Sequence, residues 1–242
     1  EGAQGLEYRL QTRESGAWHE EFRAQEAELR SAPQRLEHMR VELLKGRFQE
    51  ILRKVRVCQG RENLERPLQP TYDETLPKDH AKKLYLWIQD GWQSDERAVQ
   101  AEARAQGPED PTLFAFLPAL HKTDLAQALV WREAARATLQ RKGNPSTAEG
   151  QDAQRSMESR RKTAEEDLKG LLDRLFAGVR LFQAGGQEAT EGNDLADRIQ
   201  RAARASAVRL YPQFDAADHD RWSKVLDEAR KGAAGSLKHV GH

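Results

Sequence analysis

Two short apolar runs constrain this chain more than any other feature: LYLWI (Leu84–Ile88) and LFAFL (Leu113–Leu117). Each is aromatic-rich and nearly unbroken, as a strand covered on both faces would be, whereas a strand with one wet face would alternate. Between them SDERAVQAEARAQG reads as a helix. Ser94 stands at its N-cap position, and Asp95 and Glu96 in the first turn face the positive end of the helix dipole. Strand, helix and strand over about thirty residues make one βαβ unit, so the two strands are expected to be parallel neighbours with a right-handed crossover.

Helical signals dominate the flanks. LEYRLQT (Leu6–Thr12) alternates as a short strand would, and Ser15 and Gly16 are expected to end it and cap a helix from about Ala17. Pro33 interrupts that helix, and Ser31 with Gln34 forms a capping-box pair that restarts it. Leu36, Met39, Leu43, Leu44, Phe48, Ile51, Leu52 and Val55 then recur at three and four, with Gly46 a weak point. Gln59 to Lys83, holding Pro67, Pro70 and Pro77, reads as a loop or a set of short extended pieces.

After the second strand a helix is expected from about Thr123 to Arg141. GNPST turns the chain, and Ser146 with Glu149 opens a helix running to about Phe182. Met157, Ala164, Leu168, Leu171, Leu175, Val179 and Phe182 approach heptad spacing, so the two helices should form an antiparallel hairpin. QAGGQEATEGN breaks it, and a further helix through Leu195, Ile199, Ala202, Ser206 and Leu210 ends at Tyr211-Pro212.

The expected fold class is α/β plus helical. A small mixed or parallel sheet layer with a βαβ unit precedes a long antiparallel helical hairpin and C-terminal helices. Residues 1–121 would form the α/β region with an N-terminal strand and long helices, and residues 122–242 the helical region. No period of 20–50 residues recurs, which excludes a solenoid. The opening EGAQGLEYRL and the closing SLKHVGH both look like cuts, so a fragment of a larger chain is expected.

Charge narrows the function classes. Lys+Arg and Asp+Glu stand at 39 each, so no global field draws the chain to nucleic acid or an anionic membrane. With Cys58 as the single cysteine, an internal disulfide and a Cys-based zinc site are both excluded, and a small packed side chain is its ordinary role. No apolar run approaches the roughly 20 residues of a membrane span, and none has signal-peptide character. A cytoplasmic protein with no membrane partner is expected.

Four groups of residues invite a chemical reading. Asp215, Asp218, His219 and Asp220 crowd the approach to RWSKVLDEAR, but they lack the glycine and the twelfth-position Glu of a calcium loop. Helix capping accounts for them. The carboxyl ends of the two strands carry Asp90 in QDGW and His121 and Lys122 in PALHK, which could meet as an acid, a base and a phosphate-attracting charge. No glycine-rich phosphate cradle accompanies them, so ordinary surface loops are the better reading. Arg155, Arg160, Arg161 and Lys162 form the sharpest basic feature and could contact phosphates. Glu158 with Lys162 and Arg161 with Glu165 would neutralise that run at i, i+4. The seven histidines show no i, i+4 metal pair, and no G-x-S-x-G elbow supports a Ser/His/Asp triad. The five tryptophans are better packing anchors than base-stacking platforms. No catalytic residue and no metal ligand is assigned.

Several stretches together resemble the middle region of the large P-loop ATPase of BREX phage-defence systems, of the BrxC/PglY type. They are EYRLQT, LYLWIQDGW, TLFAFLP, PSTAEGQDAQRSMESRR, AGVRLFQAGG and LYPQFDAADHDRWSKVLDEARKG, followed by VGH. They span nearly the whole chain and none is a catalytic signature. The family's nucleotide-binding motif belongs to an upstream part, and no position here can receive its ATP-binding residues. The resemblance implies a non-catalytic interaction module of an ATPase acting in bacterial defence against phage. ATP and Mg would bind the upstream part of the parent. Partners would be a DNA methyltransferase, other BREX components or further copies of the parent, with DNA reached through the complex. The rival class is a stand-alone nucleic-acid-binding or nucleotide-sensing protein using the basic helical face or the Asp90/His121/Lys122 edge. A helical scaffold unrelated to defence is a third class.

Overall fold

The computed structural model describes residues 13–60 and 63–214, together with Lys224, Val225, Asp227 and Ala229. The strand expected at Leu6–Thr12 and the cluster Asp215, Asp218, His219 and Asp220 lie outside the described residues. Six helices are described: α1 (Arg13–Arg30), α2 (Pro33–Leu52), α3 (Glu96–Gln106), α4 (Lys122–Lys142), α5 (Ala148–Ala177) and α6 (Leu195–Leu210). The strands are β1 (Cys58–Gln59), β2 (Leu64–Glu65), β3 (Leu68–Thr71), β4 (Leu84–Asp90), β5 (Leu113–Leu117), β6 (Arg180–Gln183) and β7 (Gln187–Glu188). The chain is mixed α/β with a helical C-terminal part, as its pattern indicates. It divides into two compact units, residues 1–48 with 120–174 and residues 49–119 with 175–242. Each unit thus joins two separate chain segments, whereas the expected organisation was sequential, 1–121 then 122–242.

In the second unit five strands form one sheet in the order β3-β4-β5-β6-β7, and β1 and β2 pair separately. β3, β4 and β5 are parallel, with Leu86 opposite Leu113 and Trp87 opposite Phe114. β6 and β7 add antiparallel. Side chains alternate across the sheet, which explains the unbroken apolar runs. Trp87, Phe114, Phe116 and Phe182 pack with Val99 and Ala103 of α3. On the opposite face Leu84 packs with Val57 and with Ala203 and Ala207 of α6. Trp87 and Phe114 meet edge to face, 5.7 Å between centroids at 82°.

β3 is one of the short extended pieces expected between Gln59 and Lys83, whereas β6 and β7 depart from expectation. β3 contains Pro70, which a central strand would reject; as an edge strand it leaves the missing N–H on the unpaired side. α5 was expected to reach Phe182 and stops at Ala177 instead. Its last turn tightens, with Gly178 N–H bonding Leu175 O at 3.1 Å and Val179 N–H bonding Phe176 O at 3.2 Å. Leu181 and Phe182 then enter β6 fully buried, and that burial outweighs one more helical turn. Gly186, in the β6–β7 turn with φ 86°, could carry no Cβ, which would lie 2.5 Å from Arg104 Cγ and 3.2 Å from Gln100 O.

In the first unit α1 runs antiparallel to α4. Glu26 accepts from Trp131 Nε1 at 3.2 Å, and Glu21 lies 3.4 Å from Arg141. α5 follows the direction of α1: Thr147 bonds Glu14, the Arg160 guanidinium covers the Phe22 ring at 4.8 Å, and Asp173 pairs with Arg47 of α2 at 2.6 Å. The expected hairpin of α4 and α5 is therefore antiparallel in sense but shares its core with α1. Trp18, Phe22, Leu29, Val130, Ala134 and Met157 fill that core.

The helix starts correct several readings. Asp95, not Ser94, caps α3, accepting from Ala98 N–H at 2.8 Å. Thr147, not Ser146, caps α5 through the Gly150 N–H at 3.1 Å. Ser31 donates back to Glu28 O at 2.8 Å and so closes α1, while Pro33 opens α2. Ser15 and Gly16 lie inside α1. Val55 lies beyond the end of α2 and packs against the α6 core.

Candidate functional site

Parallel α/β sheets bind ligands outside the carboxyl ends of their strands, where strand order reverses and neighbouring loops part. The strand order here is consecutive throughout, so no such reversal occurs. The turns after β4 and β5 also meet in backbone contact. Gly91 N–H donates to Leu117 O at 2.9 Å, and a Cβ on Gly91 would stand 2.7 Å from Ala119 N. The gap between these strand ends is filled by main chain.

Asp90, His121 and Lys122 fall in different compact units, Asp90 in the sheet unit and the other two at the start of α4. Asp90 Oδ1 accepts the N–H of Trp92 at 2.9 Å and of Gln93 at 3.3 Å, which builds the turn after β4. His121 occupies the N-cap position of α4 in the left-handed region, φ 53°, and makes no side-chain cap bond. Its Nδ1 lies 3.8 Å from Asp124 Oδ2.

The basic run on α5 is internally compensated. Arg155 pairs with Asp152, Arg161 with Glu165 at 2.8 Å and Lys162 with Glu166 at 3.9 Å, while Arg160 lies over Phe22. Lys162 thus reaches forward to Glu166 instead of back to Glu158. The pairs are exposed, so each contributes little to stability, but together they cancel the field that would draw phosphates.

Sequence reasoning missed a polar cluster at the amino ends of β4 and β5. His80 Nδ1 lies 2.9 Å from Pro77 O, and its Nε2 lies 3.1 Å from Gln106 Oε1 and 3.3 Å from Asp110 Oδ2. Asp110 Oδ1 accepts the Thr112 N–H at 2.8 Å. Arg209 of α6 donates to Asp110 O at 3.1 Å, to Gln183 Oε1 at 3.1 Å and to Ser206 Oγ at 2.8 Å. Burial pulls the Arg209 guanidinium below its ordinary value, and the charges of Asp110 and Glu109 oppose that. A histidine beside a carboxylate suits general-base chemistry only if one ring nitrogen faces the substrate. Here protein acceptors meet both nitrogens, so the cluster ties the segment before β4 to α3, β5 and α6. These residues stand far apart in the chain, and no local spacing signals them.

Beside it Tyr85 donates to Asp79 Oδ1 at 2.9 Å, and Lys83 Nζ lies 2.7 Å from Asp79 Oδ2. The bond from Lys83 and then that from Tyr85 hold the Asp79 carboxyl below the usual range. On the other side of the sheet unit Arg180 bridges Glu96 at 2.7 Å and Glu188 at 2.5 Å. Among the described residues no three His, Cys, Asp or Glu side chains converge as a metal site requires. Nor is any described helix long and apolar enough to cross a membrane.

The fold and its filled strand ends define a mixed α/β protein carrying a helical unit. No protein-family model matches the chain, and neither a curated protein nor a solved structure matches it.

Proposed function

We propose that this chain is a non-catalytic interaction module of a large BREX-type ATPase acting in bacterial defence against phage, working with a DNA methyltransferase and other BREX components. Its support in sequence is the resemblance of LYLWIQDGW, TLFAFLP, AGVRLFQAGG and the other quoted stretches to that ATPase's middle region. The observation that carries the non-catalytic part is the strand-end contact of Gly91 with Ala119, joined to the consecutive strand order. Together they leave, among the described strands, no order reversal of the kind at which an α/β sheet would hold a nucleotide. ATP and Mg belong, on this reading, to the upstream part of the parent.

The test uses the intact parent and its neighbouring components in a phage-challenged host. Excising the segment that corresponds to this chain should abolish protection and co-purification of at least one component, while ATP hydrolysis by the upstream part persists. Full protection after excision would sink the proposal. So would ATP hydrolysis by this chain alone.

A further inference from the structure

The arginine-rich stretch that stands out in the sequence is neutralised, but a second basic surface has no local signature. Arg53, Lys54 and Arg56 lie in the exposed segment between α2 and β1, and Arg204 is exposed on α6. The tertiary structure brings them together. Arg56 N–H donates to Gln200 Oε1 at 2.9 Å, and Arg204 follows Gln200 by one helical turn. Val55 packs against the cluster that Val57 and Leu84 form with Ala203 and Ala207 of α6, which fixes the segment there. All four cations belong to the sheet unit.

None of these four side chains has an ion-pair partner among the described residues. Several neighbouring carboxylates are already engaged, whereas Glu65 of β2, exposed opposite Cys58, has no ion-pair partner among the described residues. Asp197 bonds Arg201 at 3.0 Å, Asp194 caps α6 through the Asp197 N–H, and Glu50 on α2 has its own partner. Arg204 adds to the field that holds the Asp197 carboxyl down, after the bonds from Arg201 and the Asn193 N–H.

We propose that Arg53, Lys54, Arg56 and Arg204 form a contact surface for the phosphate backbone of duplex DNA. Arg53 to Arg56 spans at most about 10 Å of chain, which covers about three phosphates along one strand at ~3.4 Å per charge. Four exposed cations without ion-pair partners, carried by one segment and by the helix on which it packs, suit a polyanion of regular spacing. Single strands are held chiefly by stacking on aromatic rings. Tyr211, the exposed residue that ends α6, is already covered by the Arg66 guanidinium at 4.0 Å, so it offers no open stacking face. Binding would be independent of base sequence, because contacts to phosphate carry no sequence information directly. This surface stands on geometry and does not depend on the BREX assignment.

The experiment is a fluorescence-anisotropy titration of a labelled duplex of arbitrary sequence with the whole 242-residue chain, repeated across a salt series. With four phosphate contacts the logarithm of the binding constant should fall against that of salt with a slope of about −3 to −4. Replacing Arg53→Ala and Arg56→Ala together should reduce that slope by roughly 2, with an unchanged thermal melt to show an intact fold. Replacing Arg155→Ala and Lys162→Ala should leave the slope as it was. No binding by the folded parent chain at low salt would overturn the proposal. An unchanged slope in the Arg53/Arg56 variant would do the same, as would a single strand binding as tightly as the duplex.

Discussion

A side-chain carbon added at Gly91 would lie 2.7 Å from the backbone nitrogen of Ala119 and 3.1 Å from its methyl carbon. Gly91 opens the turn after β4 and Ala119 lies two residues past β5, and the absence of a Cβ lets the two segments touch. Gly91→Ala should lower stability by about 1–3 kcal/mol, since main chain cannot move aside as a flexible side chain would. Denaturant unfolding of the variant against the parent chain measures this. An unchanged midpoint would mean that the turns do not close on each other in solution.

The start of α3 provides a paired comparison. Asp95→Ala should cost about 0.5–2 kcal/mol, because the Ala98 N–H loses its acceptor and the dipole loses a facing charge. Ser94→Ala should change little, since that residue's N–H serves the preceding turn through Asp90 O at 3.0 Å. If both substitutions cost the same, the cap assignment to Asp95 fails.

Glu26 provides an acid-side probe of the helical unit. The bond from Arg30, with a further bond from Trp131, holds its carboxyl below the ordinary 4.5, against the opposing effect of burial. A depressed folded-state value contributes stability above the unfolded value and loses it as pH falls through the folded one. Stability should therefore decline below about pH 4.5, and Glu26→Gln should flatten part of that decline. Thermal melts of both proteins across that range decide it; identical acid slopes would count against the Glu26 contribution.

Tyr72 reports on the alkaline side. Partial burial pushes its hydroxyl up from 10.0 to about 12. The neutral ring is the form that the fold accepts, so its contribution is intact below pH 10 and is lost as pH rises towards 12. Following phenolate absorbance in Tyr72→Phe and the parent chain should show a tyrosine that titrates near 12 missing from the variant. A titration of Tyr72 at the ordinary tyrosine value would refute its burial.

What could be read from the sequence was the part of the fold whose signal is local. LYLWI and LFAFL are apolar on every residue, and strands so composed need cover on both faces; α3 and α6 provide it. β3 falls in the stretch read as a loop or short extended pieces, and what stayed hidden was that it joins the sheet as an edge strand beside β4. β6 was hidden because Val179 and Phe182 continue the spacing of α5, and only the burial of Leu181 and Phe182 in the sheet breaks that helix. The candidate chemistry divides in the same way. Arg161 has Glu165 one helical turn on, so that pair was legible, whereas Arg155 takes Asp152 and Lys162 takes Glu166 in place of the expected Glu158. The convergence of His80, Asp110 and Arg209 was not, since chain separation carries no record of contact.

The sequence by itself determined the parallel pair β4 and β5 with α3 between them, the helical flanks, and the want of any phosphate-cradling or metal-binding motif, because propensity, periodicity and spacing act over a few residues. Only the tertiary structure decided which residues cap the helices, which chain segments share a compact unit, that Gly91 and Ala119 meet at the strand ends, and that the segment holding Arg53, Lys54 and Arg56 packs on the helix that carries Arg204. Those outcomes depend on burial and on packing between distant segments, and no local window contains either.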